Sequence, residues 1–213
     1  MSSITAVVSD LGGVLTTPLF DAFLAYERAT GISPRAFGMA MLAVSQREGE
    51  NPLFALERGE ISERQFLASL EAELGAQLQR EVSLDGFGEA FMAELSVNEP
   101  MLEYVGSLRK RGYRLALCTN NVREWEPLWR PKLPVDELFE VVVDSSYVGA
   151  RKPERAIYEI TLQRLAVAGE QALLVDDLED NCIAARELGW HAVWFKSSEQ
   201  AIGEIDRILA AGD

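Results

Sequence analysis

Five short runs of aliphatic and β-branched residues, each closing on polar side chains, constrain this chain more than any other feature. Ile4 to Val8 ends at Ser9-Asp10, Leu115 to Cys118 at Thr119-Asn120-Asn121, and Val141 to Val143 at Asp144-Ser145. Leu173 to Val175 ends at Asp176-Asp177, and Ala192 to Phe195 ends at Lys196. Runs this short and this continuously apolar read as strands buried on both faces, the signature of a parallel sheet. Between the later runs, apolar residues recur at helical spacing. Met101, Leu102, Val105 and Leu108 precede Arg111-Gly112, a basic last turn followed by a capping glycine. Ile157, Ile160, Leu162 and Leu165 mark a second helix, with Pro153 expected in its first turn, and Ile183, Ala184 and Leu188 mark a third, ended by Gly189. Alternating strand and helix predicts an α/β fold, a doubly wound parallel sheet.

The stretch between the first two runs is different. From Pro18 to Ser96 apolar residues recur at helical spacing (Phe20, Phe23, Leu24; Phe66, Leu67, Leu70, Leu74), with no strand-like run. The expected organisation is therefore a core of residues 1–16 plus 97–213, carrying a helical domain over 17–96. An insertion directly after the first strand would sit over the carboxyl ends of the strands. A chain of 213 residues with 48% hydrophobic residues has ample material for a core of that kind.

Charge and targeting signals narrow the partners. With 20 Lys+Arg against 34 Asp+Glu the formal charge is −14, which argues against a uniform basic footprint for nucleic acid and against a polybasic membrane patch. No apolar segment approaches the ~20 residues of a membrane helix. The first residues lack a basic region followed by a long apolar stretch and a cleavage site, so a cytoplasmic location is expected. Cys118 and Cys182, without CxxC spacing, are expected to be buried reduced thiols.

In open α/β sheets the ligand crevice lies beyond the carboxyl ends of the strands. Asp10, Thr119, Asn120, Asp176 and Asp177 all fall at such ends, and Lys152 in the loop after a third strand. Carboxylates crowded together raise one another's pKa unless a counter-charge intervenes, and an oxygen-only ligand set suits Mg²⁺. A carboxylate can act as nucleophile in phosphoryl transfer through an acyl phosphate. The Lys152 ammonium, the Thr119 hydroxyl and nearby backbone N–H groups, such as those of Gly12, Gly13 and Asn120, would bind the remaining phosphoryl oxygens.

Four motifs in order resemble those of the haloacid dehalogenase-like hydrolases, across essentially the whole chain. Asp10-Leu-Gly-Gly-Val-Leu15 resembles the first, Leu117-Cys-Thr-Asn-Asn121 the second, Arg151-Lys-Pro-Glu154 the third, and Leu174-Val-Asp-Asp-Leu-Glu-Asp-Asn181 the fourth. The helical insert, with Asn51 to Ile61 inside it, is similar to the cap of that superfamily's subfamily I, in the group containing the phosphatase-like N-terminal domain of bifunctional epoxide hydrolases. The resemblance implies a Rossmann-like core under a cap domain, and a phosphatase of small phosphorylated metabolites. It implies catalysis by Asp10, Thr119 and Lys152, with Mg²⁺ held by Asp10, Asp177, Asp176 and the Gly12 carbonyl. Asp180 and Asn181 would tune that site from behind the ligands.

One position departs from the pattern. The family's phosphatases carry a second Asp two residues after the nucleophile, which protonates the leaving group and then activates water; here that position is Gly12. Loss of such a group costs about 10²–10⁴-fold in rate. Two alternatives therefore stand beside the phosphatase: a 2-haloacid dehalogenase, whose halide needs no proton, and a catalytically weak or silent binding protein. A receiver domain is disfavoured because its acidic pair precedes the phosphorylated Asp in the chain. His191, Arg47, Trp125 and Trp129 are expected to serve packing or solvation rather than chemistry.

Overall fold

The computed structural model describes residues 3–211; the outermost residues of the expected core, 1, 2, 212 and 213, lie outside the described residues. Five strands form one parallel sheet: β1 (Ala6–Ser9), β2 (Arg114–Thr119), β3 (Val141–Asp144), β4 (Ala172–Asp176) and β5 (His191–Trp194), in the order β3-β2-β1-β4-β5. All five coincide with the apolar runs. The order reverses direction at β1, so the topological switch point, where such sheets bind ligands, lies between β1 and β4.

Helices α1 (Leu19–Thr30), α2 (Pro34–Glu48), α3 (Pro52–Glu57), α4 (Glu63–Leu78) and α5 (Phe87–Ala93) follow β1, and α6 (Glu99–Lys110) leads into β2. Short helices α7 (Glu126–Trp129) and α8 (Val135–Leu138) separate β2 from β3, and α9 (Ser145–Val148) and α10 (Arg155–Leu165) separate β3 from β4. Then come α11 (Glu179–Glu187) and α12 (Ser198–Ala210). α10 begins at Arg155 rather than at Pro153. Residues 151–154 are held in a turn by Glu154 N–H to the Arg151 carbonyl (2.7 Å), and Glu154 occupies the N-cap position.

Side chains alternate across each strand, and the two faces bury separate clusters. Val7, Leu115, Leu117, Leu173 and Val175 pack with Met101, Val105 and Leu108 of α6 and Ile205 and Leu209 of α12. Ala6, Val8, Ala116, Cys118 and Leu174 pack instead with Ile157, Tyr158 and Leu165 of α10 and Ala185 of α11. Both faces are thus covered, which is why the strands lack polar alternation. Cys118 and Cys182 are buried free thiols.

The helices α1 to α5 are tied to the sheet at a narrow place. Thr16 and Val97 form an antiparallel bridge, and Thr17 N–H donates to the Ser96 carbonyl (2.8 Å) while Asn98 N–H donates to the Leu15 carbonyl (2.9 Å). The helical insert has an aromatic centre in which Phe23, Tyr26, Phe37, Phe87 and Phe91 meet edge-on, tilted or, for Phe87 on Phe91, stacked, at 4.8–6.3 Å between ring centroids. Among the described residues no helix is long and apolar enough to cross a membrane.

Candidate active site

The chain leaves β1 at Ser9, and Asp10 N–H makes one further ladder bond, to the Val175 carbonyl of β4 (2.9 Å). This fixes Asp10 beside the end of β4, where Asp176 and Asp177 follow in sequence. Suitable oxygen atoms of Asp10, Asp176 and Asp177 all lie within 4.8 Å of one another. Between them sits Lys152, 1% exposed, whose ammonium donates to Asp10 Oδ1 (2.8 Å), Asp176 Oδ2 (2.6 Å) and the Cys118 carbonyl (2.7 Å). All three ammonium protons are therefore used, and the ion pair is hydrogen-bonded as a buried one must be.

Asp176 is held on its other oxygen too. Its Oδ1 accepts from Leu178 N–H (2.9 Å) and from Asn181 Nδ2 (2.8 Å). Asn181 thus orients an acid of the cluster from α11. Asp180, its neighbour, is not brought to the cluster: its side chain is exposed in the first turn of α11, where an acid suits the helix dipole. Asp177 stands against the β1 loop, its carbonyl accepting from Trp194 Nε1 (3.0 Å). Gly13 has φ +72°, and a Cβ there would lie 2.3 Å from Asp177 Oδ2, so only glycine allows the acid and the loop to approach this closely.

Thr119 closes β2 and is buried; Asn120 follows it. The Asn120 side-chain amide is committed within the protein: its Nδ2 donates to the Lys152 carbonyl (2.9 Å) and its Oδ1 accepts from Lys152 N–H (2.7 Å). That reciprocal pair clamps the Lys152 backbone to the end of β2. The side chain of Asn120 is a brace, and only its backbone N–H remains for a ligand.

Burial dominates the electrostatics. It pushes Asp10 from an ordinary 3.8 up to about 7, against the pull of Lys152 and with the push of Asp176 and Asp177. Burial, then the neighbouring Asp176, takes Asp177 up to about 6. Lys152 is held well above its ordinary range: burial disfavours its charge, but Asp10 and Asp176 more than offset this. With all three carboxylates ionised, the one ammonium leaves two negative charges uncompensated. A divalent cation with a taste for oxygen matches both that charge and that donor set.

Beside this cluster a cavity of about 150 Å³ opens between the sheet and the insert. Gly12, Thr119 and Asn120 line it from the sheet side, and Leu19, Phe23 and Phe91 from the insert. Trp125 and Trp129 pack as expected, Trp129 being 2% exposed, yet both also border this cavity. Lys132 borders it as well, with its ammonium bound to the Met92 and Leu95 carbonyls at 2.6 and 2.8 Å. A Cβ at Gly12 would come 3.2 Å from Leu19 Cδ1, so Leu19 fills the space beside position 12. His191 is exposed at the start of β5, and Arg47 is half exposed between Glu48 and Glu73.

The sequence carried no signal for Glu57 of α3. Arg151 Nε donates to Glu57 Oε2, and the Arg151 guanidinium stacks 3.9 Å over the Phe54 ring of the same helix. Glu57 lines the cavity with Gly12 and Thr119.

The family model for haloacid dehalogenase-like hydrolases matches residues 4–189. The chain belongs to that family. As a haloacid dehalogenase-like hydrolase it is similar to bifunctional epoxide hydrolase 2 of Rattus norvegicus, 26% identical over 93% of this chain and 38% of that protein. It thus spans little more than a third of the length of that relative. It is 33% identical to phosphatase MT3486 of Mycobacterium tuberculosis over 98% of this chain and 95% of that protein. In fold it matches a haloacid dehalogenase-family enzyme of Bacteroides thetaiotaomicron solved in complex with magnesium and inorganic phosphate. The TM-score is 0.62 at 20% identity, over 91% of this chain and 94% of that one.

Proposed function

We propose that this hydrolase is a Mg²⁺-dependent phosphatase of small phosphorylated metabolites, working through an aspartyl phosphate on Asp10. The observation that carries the reading is the buried group of Asp10, Asp176, Asp177 and Lys152 at the sheet's switch point, with two negative charges left over beside a cavity. The phosphatase relative and the neighbour bound to magnesium and phosphate support it. The helices of residues 17–96 would act as a cap that excludes bulk water and contacts the leaving group.

In this reading one Asp10 oxygen is held by Lys152 and the other is free of protein donors among the described residues, so the free oxygen is the nucleophile. Lys152 keeps Asp10 oriented and offsets charge developing on the phosphoryl group. Thr119 Oγ1 and the backbone N–H groups of the 10–13 loop and Asn120 would bind the phosphoryl oxygens. Asp177, which the protein leaves least encumbered, would hold the metal with Asp10, Asp176 and the Gly12 carbonyl completing the oxygen set. Mg²⁺ when bound neutralises charge and polarises a phosphoryl oxygen. Ionised Asp10 is the competent form, and divalent charge beside it brings its raised pKa back down.

A 2-haloacid dehalogenase fits less well. Its carboxylate substrate would approach three acids, and Lys132, a cation bordering the cavity, already serves two carbonyls. The test is phosphate release from a metabolite panel with Mg²⁺ and with EDTA. Asp10→Asn is expected to lower release on the order of 10⁴-fold, the scale of losing a covalent nucleophile. Undiminished turnover in that variant, or in EDTA, refutes the reading.

A further inference from the structure

The general acid–base expected at position 12 has no side chain there, and Leu19 occupies the neighbouring space. Glu57 is the one carboxylate among the described residues lining the cavity that also contains Gly12, Thr119 and Asn120. Its side chain is 13% exposed, and Arg151 binds Oε2 while Oε1 has no protein donor among the described residues. Arg151 is itself fixed, stacked on Phe54 three residues earlier on α3 and joined to Lys152 in the chain. The Glu57 carboxyl group thus lines the cavity with one oxygen anchored by Arg151 and the other without a protein donor among the described residues.

We infer that Glu57, contributed by the insert, is the general acid–base of this phosphatase in place of a residue at position 12; this rests on the phosphatase reading above. In the first step an Asp10 oxygen bonds to phosphorus, the bond from phosphorus to the ester oxygen breaks, and the Glu57 proton passes to that oxygen. In the second, water oxygen bonds to the same phosphorus while Glu57 takes one water proton. The Asp10–phosphorus bond breaks, phosphate leaves, and both acids return to their starting states. The charged groups facing Glu57 are Arg151, Lys152 and Glu154. Burial raises the Glu57 pKa above its ordinary 4.5, with Arg151 opposing, which is the direction a proton donor requires. It also couples cap position to chemistry, because the group that protonates the leaving group travels with α3.

The test compares wild type, Glu57→Gln and Glu57→Ala with Mg²⁺ on two compact esters, benzyl phosphate (poor leaving group) and p-nitrophenyl phosphate (good leaving group). Glu57→Gln is expected to lower kcat/KM for benzyl phosphate about 100-fold and for p-nitrophenyl phosphate by less than about tenfold. With the nitrophenyl ester its kcat falls further than kcat/KM, and about one p-nitrophenol per active site appears as a burst, because water activation has become limiting. Formate is expected to restore Glu57→Ala turnover about tenfold or more, whereas chloride, which can pair with Arg151 but carries no proton, is expected to restore none. Equal losses on both esters, with no burst and no rescue by formate, overturn the assignment to Glu57 while leaving the phosphatase reading intact. Wild type inert towards both esters overturns the two together.

Discussion

Lys152 and Arg58 each gather carboxylates, in opposite surroundings. Lys152 is 1% exposed and bridges Asp10 and Asp176 at the strand ends, with a backbone carbonyl as its third partner. Arg58, just past α3, reaches Glu50 (2.7 Å), Glu60 (2.8 Å) and Glu154 (3.0 Å), all of which remain about two-fifths to one-half exposed. The first group is an electrostatic commitment: none of its members can be removed without stranding a buried charge. The second is a softer tether between insert and sheet: the Arg58 side chain is 13% exposed, but each of its carboxylates stays open to water.

The contrast breaks first at Lys152. Lys152→Met should lower stability by about 3–5 kcal/mol in urea unfolding, the cost of leaving buried carboxylates without their cation. An unchanged midpoint would mean that the two acids are compensated by something else. Next comes Gly13→Ala, whose Cβ would displace the Asp177 carboxylate and whose φ of +72° costs a further ~1–2 kcal/mol. Calorimetric Mg²⁺ affinity should drop about 10–100-fold, as when the support of a metal ligand is disturbed.

A smaller effect is one of titration. The folded chain holds protons on Asp10 and Asp177 up to about 7 and about 6, where the unfolded chain has already released them near 3.8. That contribution is fully present below 3.8 and is lost as pH climbs through the folded values. Metal-free protein should therefore lose Tm steadily between about pH 4 and 7, at about 2–4 °C for each kcal/mol of stability given up. Mg²⁺ should return progressively more of that loss as pH rises; a flat profile in EDTA would show that burial does not hold protons on these acids. The least consequence is expected at Arg58, where Arg58→Ala should cost less than about 1 kcal/mol and less still at high salt.

Much of this arrangement is legible in the chain, for a physical reason. A strand buried on both faces has no freedom to place polar residues except at its ends, so Asp10, Thr119 and Asp176 announce themselves as boundaries of apolar runs. The parallel fold then brings those boundaries together regardless of their separation in sequence. Two placements resisted the same reasoning. Asn120 looks like any strand-end amide, and its bond to the Lys152 backbone depends on how two loops meet 32 residues apart. Glu57 closes a six-residue helix with no periodicity to mark its inner face, and its partner Arg151 is 94 residues away. Position 153 taught the converse: proline is compatible with a helix start, but the Arg151–Glu154 turn claims it first.

The paired residues Thr16 and Val97 carry one last implication. Every rung of the five-stranded ladder is made by residues outside the segment they enclose. Sheet and insert are thus continuous in the chain only through a narrow, two-residue doorway. Replacing what hangs beyond that doorway would spare the ion pairs of Lys152 with Asp10 and Asp176 but forfeit Glu57.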